Sequence, residues 1–497
     1  MKISRKSISF LTACLLGLPM QVLAQENILS KRTLKTNYQL DYLLTPGSVD
    51  SLSAMFTEGM FYGRLRSNNF YFHWEGEDPT HTTHVISGLG GSLIFKSAAF
   101  ADFDFTVGLY ASQGFFDDAR DAVAHLKPGK DMLSRFDYVN TGRKSLVALG
   151  EVYLHYDGLE DIGIHLGRQL VETFYTKSND TKMIPNTFDG LVLDTKNIPD
   201  TSMRLAYLTR QKLRDHTENH SILMYGDSNS SSACNPQWSE NDDTAMHRGL
   251  TYSRLVANSI DTDAALITGD IHNYSMAGLK LDASFYAVPE LISQAMGEVN
   301  YQISFNEKLS IIPGIRYIRQ FDNGAGEIGG ASYLGHLAGK TGTVDGYKEA
   351  DSLDSQMIAV RLVAEYHKYC INLGYSQVFD EADLVTPWRS FPTAGYTRSM
   401  AQYNWRANTK SYRIALRHNA NQNGIYRKLF TEISLLHTDG DESKGWINSD
   451  HNYYYAGFVQ NIPNMEDLQW RLRLGYGDTE LEELDSIDAR FELNYLF

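Results

Sequence analysis

Alternation of apolar and polar residues with period two dominates this chain. In ARFELNYLF, residues 489–497, Ala489, Phe491, Leu493, Tyr495 and Phe497 share one face, and Arg490, Glu492, Asn494 and Leu496 share the other. Successive side chains of a strand point to opposite sides, so the segment predicts a strand with one apolar face. The pattern recurs. Phe105, Val107, Leu109 and Ala111 oppose Thr106, Gly108 and Tyr110; Met203, Leu205 and Tyr207 oppose Arg204 and Ala206. Ile358, Val360, Leu362, Ala364 and Tyr366 oppose Arg361, Glu365 and His367; Tyr412, Ile414 and Leu416 oppose Arg413, Ala415 and Arg417. Trp470, Leu472, Leu474 and Tyr476 oppose Arg471, Arg473 and Gly475.

Read this way, the chain predicts eighteen strands: 60–74, 84–97, 102–113, 146–156, 161–169, 188–196, 201–210, 264–273, 276–287, 292–304, 308–320, 355–366, 368–377, 410–419, 426–437, 450–461, 467–476 and 487–497. Segment 398–405 alternates weakly and would make nineteen; it is assigned to a loop. Short connections (97–102, 157–160, 463–466) alternate with long ones (114–145, 170–187, 211–263, 321–354, 378–409). Short turns at one end, long loops at the other and an even strand count are the arrangement of a bacterial outer-membrane barrel, in which the apolar row meets lipid and the polar row a water-filled lumen. The competing fold is a soluble β-sandwich or β-helix, whose apolar rows would form the core. Arginine placement does not separate the two. Arg64, Arg66, Arg204, Arg316, Arg361, Arg413, Arg417, Arg471 and Arg473 lie on polar faces, which are solvated in one fold and line the lumen in the other.

The first residues tip the balance. Lys2, Arg5 and Lys6 precede an apolar stretch ending at Val22, Leu23 and Ala24, the form of a secretory signal peptide cut after Ala24. Leu11 to Cys14 resembles a lipoprotein cut site, but the apolar region continues past Cys14. The mature chain then holds a short N-terminal periplasmic segment, 25–59, and a barrel, 60–497. It keeps Cys234 and Cys370, read as two unpaired thiols. Of 45 Lys and Arg, three fall in the signal, leaving 42 against 60 Asp and Glu, a net charge of −18. Such a chain repels a phosphate backbone, which argues against nucleic acid as a partner. No later apolar run approaches the ~20 residues of a spanning helix. The 30 Tyr, 23 Phe and 6 Trp suit a membrane barrel and a large soluble β-protein equally. Signal, loop asymmetry and terminal strand together favour an all-β transmembrane antiparallel barrel of about eighteen strands, with short periplasmic turns and long extracellular loops, in the outer membrane of a Gram-negative bacterium.

Several stretches resemble the OprD family of outer-membrane porins. They are EGMFYGRLRSNNFYFHWEG (58–76), HVISGLGGSLIFKSAAFADFDFTVGLYASQ (84–113), HLGRQLVETFY and KMIPNTFDGLVL (within 165–193), and DEADLVTPWRSFPTAGYTRSMAQY (380–403). The likeness is diffuse and spreads over nearly the whole mature chain, while the acidity and the long loops depart from the family pattern. The resemblance implies an eighteen-stranded, substrate-selective channel whose third and seventh outer loops fold inward, with a ladder of basic residues down its wall. Here the third loop is about 170–187, with Glu172, Tyr175, Lys177, Asp180 and Lys182; the seventh is 378–409, with Asp380, Glu381, Asp383, Trp388 and Arg389. The nine arginines named above are the candidate ladder.

A solute in a narrow pore sheds water that wall groups must replace, and the arginine fork matches a carboxylate. A row of arginines would draw small organic anions along weak sites. Asp380, Glu381 and Asp383 at the mouth would hold an ammonium group, favouring amino acids, peptides or organic acids. Alternatively each arginine pairs with a lumen acid such as Glu365 or Glu492 and stiffens the barrel. An outer-membrane barrel enzyme remains a second reading, with His165, His367 and His418 near strands but no arrangement that singles out a site. A plugged receptor needs more than 25–59 before its first strand, and an adhesin would use 211–263 and 321–354. Phe491, Tyr495 and Phe497 read as an assembly signal. The partners expected are outer-membrane lipid and lipopolysaccharide, the barrel-assembly machinery and small polar solutes; the chain is a monomer or loose trimer, with no cofactor and no metal.

Overall fold

The structure, a computed structural model, describes residues 32–35, 39–76, 83–115, 132–133, 137–138, 141–178, 183–217, 219–223, 247–400, 402–421, 427–445 and 449–497; the signal segment, Asp180, Lys182 and Cys234 lie outside them. Eighteen strands form the wall: β1 (Met60–Trp74), β2 (His84–Lys96), β3 (Phe103–Phe115), β4 (Ser145–Leu159), β5 (Ile162–Gln169), β6 (Thr187–Thr195), β7 (Thr201–Lys212), β8 (Leu266–Asn273) and β9 (Leu279–Val288), followed by β10 (Ile292–Tyr301), β11 (Leu309–Asp322), β12 (Ser355–Tyr366), β13 (Tyr369–Val378), β14 (Lys410–His418), β15 (Leu429–Asp439), β16 (His451–Ile462), β17 (Met465–Thr479) and β18 (Ser486–Leu496). Each predicted segment holds one of them, and the described residues of 398–405 are loop. The wall is antiparallel throughout. It closes where β18 pairs with β1, Arg490 opposite Phe70 and Leu496 opposite Arg64. Beyond β18 the chain continues this seam, with Phe497 N donating to Gly63 O at 3.0 Å. The Phe497 ring lies 2.1 Å from where a Cβ on residue 63 would stand, so a side chain there would displace the ring.

Two-residue turns need backbone with positive φ. Asn464 (φ 68°), His367 (φ 53°) and Asp161 (φ 55°) supply it at the short-turn end. With both hairpin ends fixed, period two sets every side chain in or out. The apolar rows point outward: Leu65, Leu205, Leu362, Ile414 and Leu474 are between 41% and 56% exposed. The polar rows are the buried ones, with Arg64 at 2%, Arg413 at 6% and Glu492 and Asn494 at 0%. A soluble sandwich would show the reverse, so burial excludes it. Exposed aromatics ring both ends of the apolar band: Phe61, Phe103, Tyr301, Tyr366, Tyr369 and Phe497 at the short-turn end, and Phe115, Tyr207, Tyr317, Tyr412, Tyr454 and Tyr476 at the other. That is the lipid face of an outer-membrane barrel. Each outward leucine moved from water into lipid gains roughly 1.5–3 kcal/mol. No helix among the described residues is long and apolar enough to cross a membrane.

Inside, two apolar clusters join loop and wall side chains. One joins Tyr175, Trp388 and Tyr396 of the loops to Tyr286, Ile318 and Met357 of β9, β11 and β12. The other gathers Tyr62, Ile86, Tyr110 and Leu146 of β1 to β4 around Met183, Ile184 and Leu40. Leu40 belongs to a small hairpin, Arg32–Leu34 against Leu40–Tyr42. The expected periplasmic segment is therefore divided: residues 48–57 sit at the short-turn end, where Ser48–Val49 pairs with Ala99–Phe100, while the described part of 32–42 lies within the barrel. Among the described residues Cys370 is a buried free thiol.

Candidate functional site: the lumen and its constriction

The third loop (170–186) folds inward because its own side chains shape it. Thr173 Oγ1 accepts from Tyr175 N at 3.2 Å and Thr176 N at 2.9 Å, the local turn that threonine favours. Glu172 Oε1 accepts from Ser178 N at 2.6 Å, and Lys177 Nζ stands 3.6 Å from Glu172 Oε2. Phe174 N donates to Asp270 Oδ2 of β8 at 2.8 Å, which ties the loop to the wall. Tyr175 is fully buried, edge-on to Phe174 and Tyr286 at 4.8 Å each, so it packs the loop and does not present a phenol to solute.

The seventh loop (379–409) meets the third directly. Thr176 bridges Arg389, and Lys177 N donates to Trp388 O at 3.0 Å. Arg389 is 2% exposed and holds a left-handed φ of 69°. Trp388 Nε1 donates to Ile222 O at 2.9 Å, and its ring lies 4.9 Å from that of Tyr286. Inward polar side chains of the wall hold the Val385 backbone: Tyr286 Oη and Gln294 Nε2 donate to Val385 O at 2.8 and 3.0 Å, and Val385 N donates to Gln320 Oε1 at 2.8 Å. At Gly374 of β13 the loop backbone is so close that a Cβ would stand 2.3 Å from Tyr396 O.

The acidic residues expected at the mouth serve loop structure. Asp383, 1% exposed, accepts from Ala407 N at 2.9 Å, Tyr333 N at 3.0 Å and Tyr347 Oη at 3.1 Å, pinning the loop 323–354 to the seventh. Burial raises its carboxyl above the ordinary value despite those donors. Asp380 is held by Lys444 at 2.7 Å and Lys348 at 3.3 Å. Glu381 faces Arg319 at 3.4 Å on the outward side of β11. Asp180, the remaining constriction candidate, lies outside the described residues.

All nine candidate arginines are on the inner face, and they divide by partner. Arg316 of β11 donates to Pro392 O at 2.6 Å and Ala394 O at 2.9 Å, pairs with Glu298, and is sandwiched between the rings of Phe174 (4.9 Å) and Tyr396 (4.6 Å). Arg361 of β12 donates to Gly395 O at 3.2 Å, stands 3.3 Å from Glu298 and lies over the Tyr396 ring at 4.7 Å. These two anchor the seventh loop by hydrogen bonds and cation–π contact. Arg204 of β7 makes a two-point contact with Asp194 at 2.6 and 2.8 Å and donates to Glu172 O at 2.9 Å, anchoring the third loop. Arg64 reaches Asn494 Oδ1 at 2.9 Å across the closing seam, and Arg66 follows it on β1. Arg413 and Arg417 of β14 share Glu432, at 2.5 and 2.6 Å. On β17 Arg473 pairs with Glu492, and Arg471 lies opposite the same residue in register. Arg490 of β18, inward by parity though absent from the candidate ladder, forks onto Asp488 at 2.8 and 2.5 Å.

The sequence reading missed the opposing wall. Asp194, Asp270, Asp282 and Glu298 of β6, β8, β9 and β10 all point inward. Parity would have found them as it found the arginines, since each is an acid opposite an apolar row. The lumen thus has an arginine-rich wall over β14 to β18 and β1, which also holds Glu432, Asp488 and Glu492, and a wall over β6 to β10 whose acids stand beside Arg204, His272 and Lys280. The three histidines considered for catalysis are dispersed. His165 stacks on His155 at 4.3 Å on β5 and β4, His367 turns the β12–β13 corner, and His418 ends β14 against Tyr369.

No protein-family model matches the sequence, and no curated protein matches it. Solved structures do. OccK9 (OpdG) of Pseudomonas aeruginosa superposes with a TM-score of 0.66 at 13% identity, over 89% of this chain and 99% of that one. OccK8 (OprE) of the same organism gives 0.64 at 13% identity, over 89% and 99%. OpdK of the same organism with vanillate gives 0.60 at 12% identity, over 88% and 98%. At such identity the likeness establishes fold. The chain has the fold of these Pseudomonas aeruginosa proteins, a closed eighteen-stranded antiparallel β-barrel.

Proposed function

We propose that the chain is an OprD-type porin, a non-enzymatic channel through which small carboxylate-bearing or zwitterionic solutes (amino acids, peptides, organic acids) diffuse across the outer membrane. The observation that carries this reading is a lumen lined by charges of both signs, with Arg413, Arg417, Arg471, Arg473 and Arg490 on one wall and, on strands across the ring, Asp194, Asp270, Asp282 and Glu298, each beside a basic side chain of its own. Low-dielectric walls focus the field of such groups on the space between them. A zwitterion turns its carboxylate to one wall and its ammonium to the other, and neither contact is tight enough to trap it. Distant loop carboxylates are screened beyond ~8 Å at physiological salt, so an acidic protein can still offer carboxylates a basic path. The test is uptake by proteoliposomes of glutamate, arginine, benzoate and an uncharged sugar of similar size. Carboxylates and zwitterions should enter faster than the sugar; equal rates for all four would refute selectivity, and no flux would refute the channel.

A further inference from the structure

The N-terminal hairpin is held inside the lumen by contacts from several directions. At its tip Gln39 Nε2 donates to Glu172 Oε1 of the third loop at 2.7 Å and also contacts Ser178. At its base the Tyr42 ring meets Tyr62 of β1 edge-on at 4.6 Å, with the Lys96 ammonium of β2 4.5 Å above it. Tyr62 Oη donates to Leu44 O at 2.5 Å, which fixes the chain as it leaves the hairpin. Arg32, 7% exposed, reaches Asp467 of β17 at 3.9 Å. The hairpin therefore extends from the third loop to the β17 side, below the meeting point of the third and seventh loops. Between it and the wall lies a cavity of about 170 Å³, lined by Lys35, Gln39 and Tyr42 of the hairpin and by Glu151, Asp194 and Arg204 of the wall, among others. Drug-sized ligands occupy pockets of about 300 Å³ or more, so this chamber admits only a smaller solute.

We propose that the paired strands of this hairpin, within residues 32–35 and 39–42, are a third constriction element of the channel, which closes a small chamber with charges of both signs against β4, β6 and β7 and sets the size limit of the solutes that pass. The inference rests on the channel reading above. No covalent bond holds the segment in place. Its contacts include hydrogen bonds, the Tyr42–Tyr62 ring pair, the Lys96 ammonium over Tyr42, the Arg32–Asp467 ion pair and apolar packing of Leu40; its two strands form a sheet separate from the wall, so displacing it leaves the ring of strands intact.

Deletion of residues 26–42 tests this. With the barrel folded, as judged by heat-modifiable mobility, single-channel conductance should rise roughly twofold or more, because conduction follows pore width. Proteoliposomes that swell only in arabinose with the parent should also swell in sucrose and raffinose. Unchanged conductance and size cut-off in a conducting, folded deletion overturns the inference and leaves the channel reading standing; absence of conductance in the parent as well overturns both. Should the deletion fail to assemble, Gln39→Cys with Ser178→Cys, in a Cys234→Ser, Cys370→Ser background, decides the matter. Oxidation should form the cross-link and hold conductance at or below the parent level, and reduction should restore opening fluctuations. A folded protein in which these cysteines do not cross-link, or in which the cross-link leaves fluctuations unchanged, overturns the proposal.

Discussion

Glu432 is the place where a single charge reports on the basic wall. Its carboxylate takes Arg413 Nη2 at 2.5 Å and Arg417 Nε at 2.6 Å. The Arg413 side chain is 4% exposed and that of Arg417 32%, so one rung is covered and the other meets lumen water. Glu432→Gln removes the shared counter-charge and keeps an oxygen that can still accept from either arginine. For a permeant anion about 6 Å away, the lost repulsion is roughly 0.7 kcal/mol at a dielectric of 80 and roughly 2.8 kcal/mol at 20. The exposure of Arg417 puts the site nearer the aqueous limit, which corresponds to an approximately threefold gain in chloride permeability and, for a potassium ion at the same distance, an approximately threefold loss. The assay is the reversal potential in a planar bilayer under a tenfold KCl gradient, which should move toward the chloride equilibrium potential. The shift should shrink when the mean salt is raised toward 1 M, where the screening length falls to about 3 Å. Benzoate uptake should rise in parallel. A reversal potential that stays put or moves toward potassium, in a variant with parental heat-modifiability, would refute the idea that solutes sense these arginines and would make the cluster a brace of the wall.

Three further outcomes follow from the packing. Leu474→Arg, on the lipid face, should cost about 2–4 kcal/mol near the bilayer midplane and lower the yield of heat-modifiable protein, whereas Leu474→Ile should assemble like the parent; equal yields would show that Leu474 does not meet lipid. Gly374→Val should expel the seventh loop from its seat, because the new Cβ collides with the Tyr396 carbonyl, and should raise conductance while strand content measured by circular dichroism is kept. Burial would raise the Asp380 carboxyl, but the Lys444 and Lys348 ammonium groups outweigh that and hold it below the ordinary value. A depressed folded-state value gives stability that is present above the ordinary carboxylate range and is lost as pH falls through the lowered one. Acidification from pH 5 to about 3 should therefore loosen the contact between the seventh loop and Lys444, and current fluctuations should increase; Lys444→Met should fluctuate already at pH 5 and respond less to acid.

Much of this molecule follows from side-chain alternation alone. Trp470 to Tyr476 and Ala489 to Phe497 state in sequence which atoms point out and which point in, because a strand has only two faces and short turns leave no freedom of register. The same parity placed Arg64, Arg413 and Arg473 on the inner face. What alternation leaves open is which face is wet. A solvated row and a lumen row read alike, and only closure of β18 on β1 buries the polar rows and exposes the leucines. Partners were equally illegible. Arg316 and Arg361 look like Arg413 in sequence, yet they hold the seventh loop, because Pro392, Ala394 and Gly395 arrive beside them from some 30 to 80 residues away. Asp383 reads as a free acid at a mouth and is a buried pin, since its donors come from residues 333, 347 and 407. The hairpin 32–42 carries no mark of its place, because a short polar segment is as compatible with the periplasm as with the lumen. Local periodicity encodes orientation within a strand; contacts between irregular segments depend on distances that exist only once the ring has closed.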